Sequence, residues 1–191
     1  MPSVYDLKPA FQKMLRPAVR RLAAWSVTAN QLTVAACLLS LGFAYALTVH
    51  PMLWLWLPLF LFARMALNAM DGMLAREHGQ KSRLGAILNE LADVIADAAL
   101  LLPLAYLPGW DPLWVGVAIF GSTLVEFAGL AAGSPRRHDG PFGKSDRAVA
   151  LGAIGIAIGL GWPVPSAWIP LIWILLCGVT VVNRIRGALR T

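Results

Sequence analysis

The chain has 191 residues, of which 58% are hydrophobic and only 14% charged, with mean hydropathy +0.66 and formal net charge +6. That composition excludes an ordinary water-soluble domain, and the length permits one domain. The basic excess does not point to nucleic acid, because membrane topology and attraction to anionic lipid account for its placement.

The chain starts with a segment, residues 1–26, that reads as an amphipathic juxtamembrane helix. Phe11, Met14, Leu15, Ala18, Val19 and Leu22 recur at helical spacing, with Lys13, Arg16, Arg20 and Arg21 between them. Such a helix lies in the membrane interface. Charged and apolar residues interleave, unlike the blocks of a cleavable signal peptide. Residues 27–191 then hold six apolar segments, near 30–49, 52–76, 83–107, 112–132, 147–162 and 166–186. Segments of about 20 apolar residues are long enough to cross a bilayer core of roughly 30 Å. The expected fold is therefore an all-α integral membrane protein, six transmembrane helices preceded by the interfacial helix.

The basic residues orient these segments. Lys8, Lys13, Arg16, Arg20 and Arg21 precede the first, and Arg184, Arg186 and Arg190 close the chain. Arg76, Lys81 and Arg83 flank the connection between the second and third; Arg136, Arg137, Lys144 and Arg147 flank that between the fourth and fifth. The opposite turns, around His50-Pro51, Pro108-Gly109 and Pro163–Pro165, contain no Lys or Arg. Both termini are accordingly expected in the cytoplasm. Trp54, Trp56, Trp110, Trp114, Trp162 and Trp168 gather towards the other side, as an interfacial aromatic belt would. Cys37 and Cys177 both fall within predicted spans and indicate neither a disulfide framework nor a zinc site.

Polar residues inside the second and third spans break this apolar pattern, and ionisable residues in a membrane helix mark function. Arg64, Asn68, Asp71, Gly72 and Ala75 share one face of the second span. Gly85, Asn89, Asp93 and Asp97 recur at every fourth position of the third. The connection at Gly79–Ser82 is short, so the two helices are expected to be antiparallel neighbours with facing stripes. Converging oxygen ligands suit a hard cation such as Mg²⁺ bound together with substrate phosphates. Gly72 and Gly85 allow close approach of a ligand, and Arg76 can pair with a phosphate. Arg64 calls for an acidic neighbour, and Glu126 in the fourth span is a candidate.

The stretch Asp71-Gly72-x2-Ala75-Arg76-x8-Gly85-x3-Asn89-x3-Asp93 resembles the signature of the CDP-alcohol phosphatidyltransferases, Asp-x2-Asp-Gly-x2-Ala-Arg-x8-Gly-x3-Asp-x3-Asp. The segments Asn30-Gln31-Leu32-Thr33 and Gly143-Lys144-Ser145-Asp146-Arg147 also resemble that family, as does the six-span layout. The resemblance implies transfer of a phosphatidyl-type group from a CDP-alcohol, such as CDP-diacylglycerol, to a hydroxyl acceptor with release of CMP. It implies a Mg²⁺ or Mn²⁺ cofactor, Asp93 as general base, and Asp71 with Asn68 and Asn89 as metal ligands. Gly72, Ala75, Arg76 and Gly85, with Asn30 and Thr33, would line the CDP pocket. Lys144 and Arg147 would meet the acceptor, glycerol 3-phosphate being one example of a phosphorylated one. A homodimer in a bacterial inner membrane is expected on the same ground.

The chain departs from the signature at two of its four aspartates, where it has Asn68 and Asn89. An amide oxygen can ligate a cation but adds no negative charge, so weaker metal binding or a single held ion is expected. Asp97 is a further candidate ligand, one turn along the same stripe. Two alternatives stay open: a relative that binds CDP-lipid without turnover, and a small membrane transporter.

Overall fold

The computed structural model describes residues 4–133 and 139–190, with the side chains of 4–9 left aside. Arg136 and Arg137 lie outside the described residues. Seven α-helices follow in order: α1 (Val4–Ala24), α2 (Ala29–Val49), α3 (Leu57–Glu77), α4 (Arg83–Leu101), α5 (Pro112–Ala131), α6 (Lys144–Gly159) and α7 (Trp168–Ala188). Among the described residues there is no strand. Four helical stretches are long and apolar enough to cross a membrane: Ala29–Val49, Pro51–Glu77, Pro112–Ala131 and Trp168–Ala188. The third and fifth predicted spans are helical too. However, α4 carries Arg83, Glu90, Asp93 and Asp97 within 19 residues, and α6 has only 16.

The boundaries differ from the sequence expectation for local reasons. Prolines open two 3-10 segments, Pro51–Trp56 before α3 and Leu102–Tyr106 after α4, where a continuous α-helix was expected. Helix α6 begins at Lys144, three residues before the predicted start, because the Asp146 carboxylate accepts from the Gly143 N–H at 2.9 Å and caps it there. It ends at Gly159, before Gly161 takes a left-handed φ of 69°.

Contacts group the chain into two compact units, Met1–Ser40 with Phe62–Ala96, and Leu41–Leu61 with Asp97–Thr191. In the first, Leu15, Val19 and Leu22 of α1 pack with Ala29 and Leu32 of α2 and Met73 and Leu74 of α3. Met14 and Ala18, on the predicted apolar stripe, are exposed, as are Lys13, Arg20 and Arg21. The α1–α2 turn is closed by Ser26 N–H to Ala23 O and Val27 N–H to Leu22 O, with Ser26 left-handed at φ 57°. Thr28 and Gln31 then form a reciprocal capping box: Thr28 N–H to Gln31 Oε1 (2.9 Å) and Gln31 N–H to Thr28 Oγ1 (3.2 Å). Gln80, in the α3–α4 connection, clasps the same turn by accepting from Ala29 N–H at 2.6 Å and donating to Val27 O at 3.4 Å.

In the second unit α5 packs along α7, and α6 lies against the Pro51–Trp56 segment. That approach is close enough to require glycine. A Cβ on Gly155 would sit 2.9 Å from Trp54 O, and one on Gly159 would sit 2.6 Å from Leu55 N. The core contains Leu47, Trp54, Leu57, Leu100, Val115, Val125, Trp173 and Cys177. Trp54 and Trp110 are buried and so do not join the predicted aromatic belt, whereas Trp56, Trp114, Trp162 and Trp168 are exposed.

Candidate active site

The two predicted polar stripes meet within the first unit. Asn68 on α3 donates its amide N–H to Asp93 Oδ1 on α4 at 2.7 Å. Only the nitrogen end of an amide can face a carboxylate oxygen, so the Asn68 carbonyl is turned away from it. Arg64, one turn earlier on α3, brings Nη2 to 3.5 Å from Asp93 Oδ1 and donates to the Asp93 backbone carbonyl at 3.2 Å. Arg64 is 6% exposed, so this carboxylate answers a charge that burial would otherwise make costly. A charge-assisted bond of this kind is worth roughly 1.5–3 kcal/mol, and the set pins α3 to α4 at the depth of Asp93.

Asp71, one turn along α3 from Asn68, is buried and accepts from Thr33 Oγ1 at 2.7 Å. Thr33 thus touches a motif carboxylate directly, a contact for which the sequence carried only the Asn30–Thr33 resemblance. Asn30 lies on the same helix, and its Oδ1 is 2.7 Å from where a Cβ on Gly85 would be. Ser82 Oγ accepts from the Gly85 N–H at 2.9 Å and caps α4. The Arg76 side chain folds back over Gly72, with Nη1 3.0 Å from that residue's Cβ position, and Arg76 remains exposed. Ala75 packs against the core of this unit, and Asn89 is half-buried on α4.

At the exposed edge of the unit, Arg16 of α1 makes a two-point ion pair with Glu77, at 3.1 and 3.0 Å. The hydrogen bond to Glu77, with its charge, raises the Arg16 guanidinium above its ordinary value.

The remaining predicted residues belong to the second unit. Arg147 is 4% exposed and bonds to Glu126 Oε1 at 2.6 Å, Asp97 Oδ2 at 3.5 Å and Phe142 O at 3.3 Å. Lys144 is half-buried at the first turn of α6. Arg184, 1% exposed, donates to the backbone carbonyls of Val125 and Asp139. Arg64 pairs with Asp93, and Glu126 pairs with Arg147. Several acids sit on the apolar helices, and sequence spacing alone could not choose among them.

Among the described residues no three His, Cys, Asp or Glu side chains converge as a metal cluster would. The donor set of Asp71 and Asp93 carboxylates and Asn68 and Asn89 amide oxygens is still all-oxygen, which fits a hard divalent cation and not a soft one.

An all-helical fold, with four helical stretches long and apolar enough to cross a membrane and a carboxylate–amide contact joining α3 to α4, defines a membrane-bound class of protein. The chain belongs to the CDP-alcohol phosphatidyltransferase family, whose members are metal-dependent enzymes, with residues 26–182 matching it. The Escherichia coli inner membrane protein YnbA is 47% identical over 98% of this chain and 96% of its own length. The phosphatidylinositol phosphate synthase of Corynebacterium glutamicum is 29% identical, covering 97% of this chain and 88% of its own. Among solved structures, Mycobacterium tuberculosis phosphatidylinositol phosphate synthase in complex with manganese and citrate superposes with a TM-score of 0.73 at 20% identity, covering 91% of this chain and 88% of that one. The same enzyme with CDP-DAG bound superposes at 0.70 and 21%, covering 91% of each chain.

Proposed function

We propose that the protein transfers the phosphatidyl group of a CDP-alcohol, CDP-diacylglycerol, to a hydroxyl acceptor and releases CMP, in phospholipid synthesis. The observation that carries this reading is the family's signature spacing folded so that Asn68 and Arg64 orient Asp93 while Thr33 orients Asp71. The solved relative with CDP-DAG supports the donor, and the one with manganese supports a Mg²⁺ or Mn²⁺ cofactor.

Each residue then has a task. Asp71, with the amide oxygens of Asn68 and Asn89, would hold the cation, and Asp93 would share in it. When bound, that ion neutralises the diphosphate and makes its β-phosphorus easier to attack. Asp93 takes the acceptor's hydroxyl proton; the acceptor oxygen bonds to the β-phosphorus as the bond to CMP breaks. Asn30, Thr33, Gly72, Ala75, Arg76 and Gly85 line the CDP pocket, where Arg76 is free of the core to reach a phosphate. Lys144 and Arg147 serve the acceptor. Asp97 is better assigned to holding Arg147 than to the metal, given their ion pair.

We further read residues 27–191 as one domain with six spans, both termini and the site cytoplasmic, in a bacterial inner membrane and as a homodimer. The exposed apolar stripe Leu84, Ile87, Leu91 and Ile95 supports α4 as a lipid-facing helix despite its carboxylates. The basic residue distribution supports the orientation.

The test is CMP release from CDP-diacylglycerol with Mg²⁺ or Mn²⁺ and a panel of alcohols, including glycerol 3-phosphate and inositol phosphate. Release is expected with one acceptor and is lost in Asp93→Asn. CDP-lipid binding without CMP from any acceptor would instead establish a relative that binds without turnover.

A further inference from the structure

We propose that the acceptor is an alcohol carrying no phosphate or other anionic group, and that Glu126 sets this preference by occupying Arg147. The inference deepens the transferase reading and rests on it. A guanidinium binds a phosphate through two parallel N–H donors on one edge. Its edges are Nη1 with Nη2 and Nε with Nη2, so both require Nη2. In Arg147 that nitrogen is taken: it lies 2.6 Å from Glu126 Oε1 and 3.5 Å from Asp97 Oδ2. Nη1 donates to the Phe142 carbonyl at 3.3 Å. Arg147 and Glu126 are 4% and 6% exposed, so salt and water screen the pair little.

A phosphate reaching this guanidinium would have to displace the Glu126 carboxylate or lie beside it. Displacement takes from a buried carboxylate the cation it meets, and lying beside it brings like charges together; both are unfavourable. Arg184, on α7, offers no substitute. It is 1% exposed and donates through Nε to the Asp139 carbonyl at 3.4 Å and through Nη1 to the Val125 carbonyl. The Thr180 hydroxyl, one turn earlier on α7, accepts from the Phe142 N–H at 3.1 Å and so fixes the residue whose carbonyl Arg147 meets. Lys144, at the start of α6, is a point charge without paired donors. Arg147 thus meets the acceptor as one half of an ion pair and not as a phosphate ligand, and an uncharged alcohol is what such a pair tolerates.

The test pairs alcohols with their phosphate esters. Full-length protein in nanodiscs, with CDP and Mg²⁺ present, is titrated calorimetrically with inorganic phosphate, glycerol 3-phosphate and inositol phosphate. The CDP occupies its own phosphate positions, so that only a further site responds. The wild type should show no saturable binding of any of the three. Glu126→Gln keeps the side chain's shape, removes its charge and should gain saturable binding of at least one, which adding Arg147→Gln should abolish. In CMP release from CDP-diacylglycerol, the wild type should prefer an uncharged alcohol over its phosphate ester by about a hundredfold or more. Saturable phosphate binding by the wild type, CMP release that prefers the ester, or a folded Glu126→Gln protein with no gain in phosphate affinity would each overturn the proposal. If Glu126→Gln does not fold, the wild-type titration and the paired acceptors decide. No CMP from any acceptor, with the titrations as expected, would sink the transferase reading and leave the exclusion of phosphate standing.

Discussion

Gly85→Ala separates packing from ligand binding at the start of α4. The added Cβ would lie 2.7 Å from Asn30 Oδ1 and 3.0 Å from Ser82 Oγ. Both neighbours are ends of short side chains and not backbone, so they can move by the few tenths of an ångström needed. Overpacking costs about 1–3 kcal/mol, but alanine also gains about 0.8–1 kcal/mol over glycine inside a helix. The two nearly offset, so a net loss of roughly 0–2 kcal/mol is expected, a shift of a few degrees in Tm. The ligand effect has no such offset. Asn30 is displaced from the position proposed to meet CDP, and loss of one good polar contact is worth about 1.4 kcal/mol, tenfold in Kd. Calorimetric titration with CDP and divalent metal, beside a thermal melt in detergent, reads both. Wild-type affinity would refute the placement of Asn30 and Gly85 in the CDP pocket. A melt lowered by more than about 10 °C would refute the offset argued from alanine's helix propensity.

Two further predictions follow from buried partners. Thr33→Val keeps the shape but leaves the 5%-exposed Asp71 without its 2.7 Å donor; it should lose about 1.5–3 kcal/mol of stability and weaken Mn²⁺, while Thr33→Ser should restore both. A Thr33→Val protein with unchanged melt and metal titration would show that bond to be idle. Arg147→Ala removes a buried counter-charge that Glu126 meets at 2.6 Å and Asp97 at 3.5 Å, and should cost about 3–5 kcal/mol, read as a lowered Tm. The double variant Arg147→Met, Glu126→Leu should recover much of that loss, since an apolar pair of similar volume needs no desolvation of charge.

The helices were legible because they follow from apolar length alone. All six predicted segments are helical, and the N-terminal segment is α1. Where a boundary moved, proline or a cap moved it, as Pro51, Pro103 and the Gly143–Asp146 pair did. Trp54 shows a limit of composition. Placed near a predicted membrane face, it reads as an interfacial anchor, yet α6 packs over it through Gly155 and covers it fully. The small residues that allow that cover are visible in the sequence, but their target is not.

At the site the same division holds, and it explains which inferences were within reach. That Asn68 meets Asp93 follows from helical spacing and a short connection, both local. That Arg64 chooses Asp93, and Arg147 takes Glu126 with Asp97, depends on the packing of separate helices. The asparagines can be read as a defect when only the motif is counted, since each lacks a charge. Beside Asp93 the first of them has a task that a carboxylate could not perform: its amide N–H donates to Oδ1 at 2.7 Å, next to the Arg64 guanidinium at 3.5 Å, so two donors on α3 hold the one carboxylate on α4.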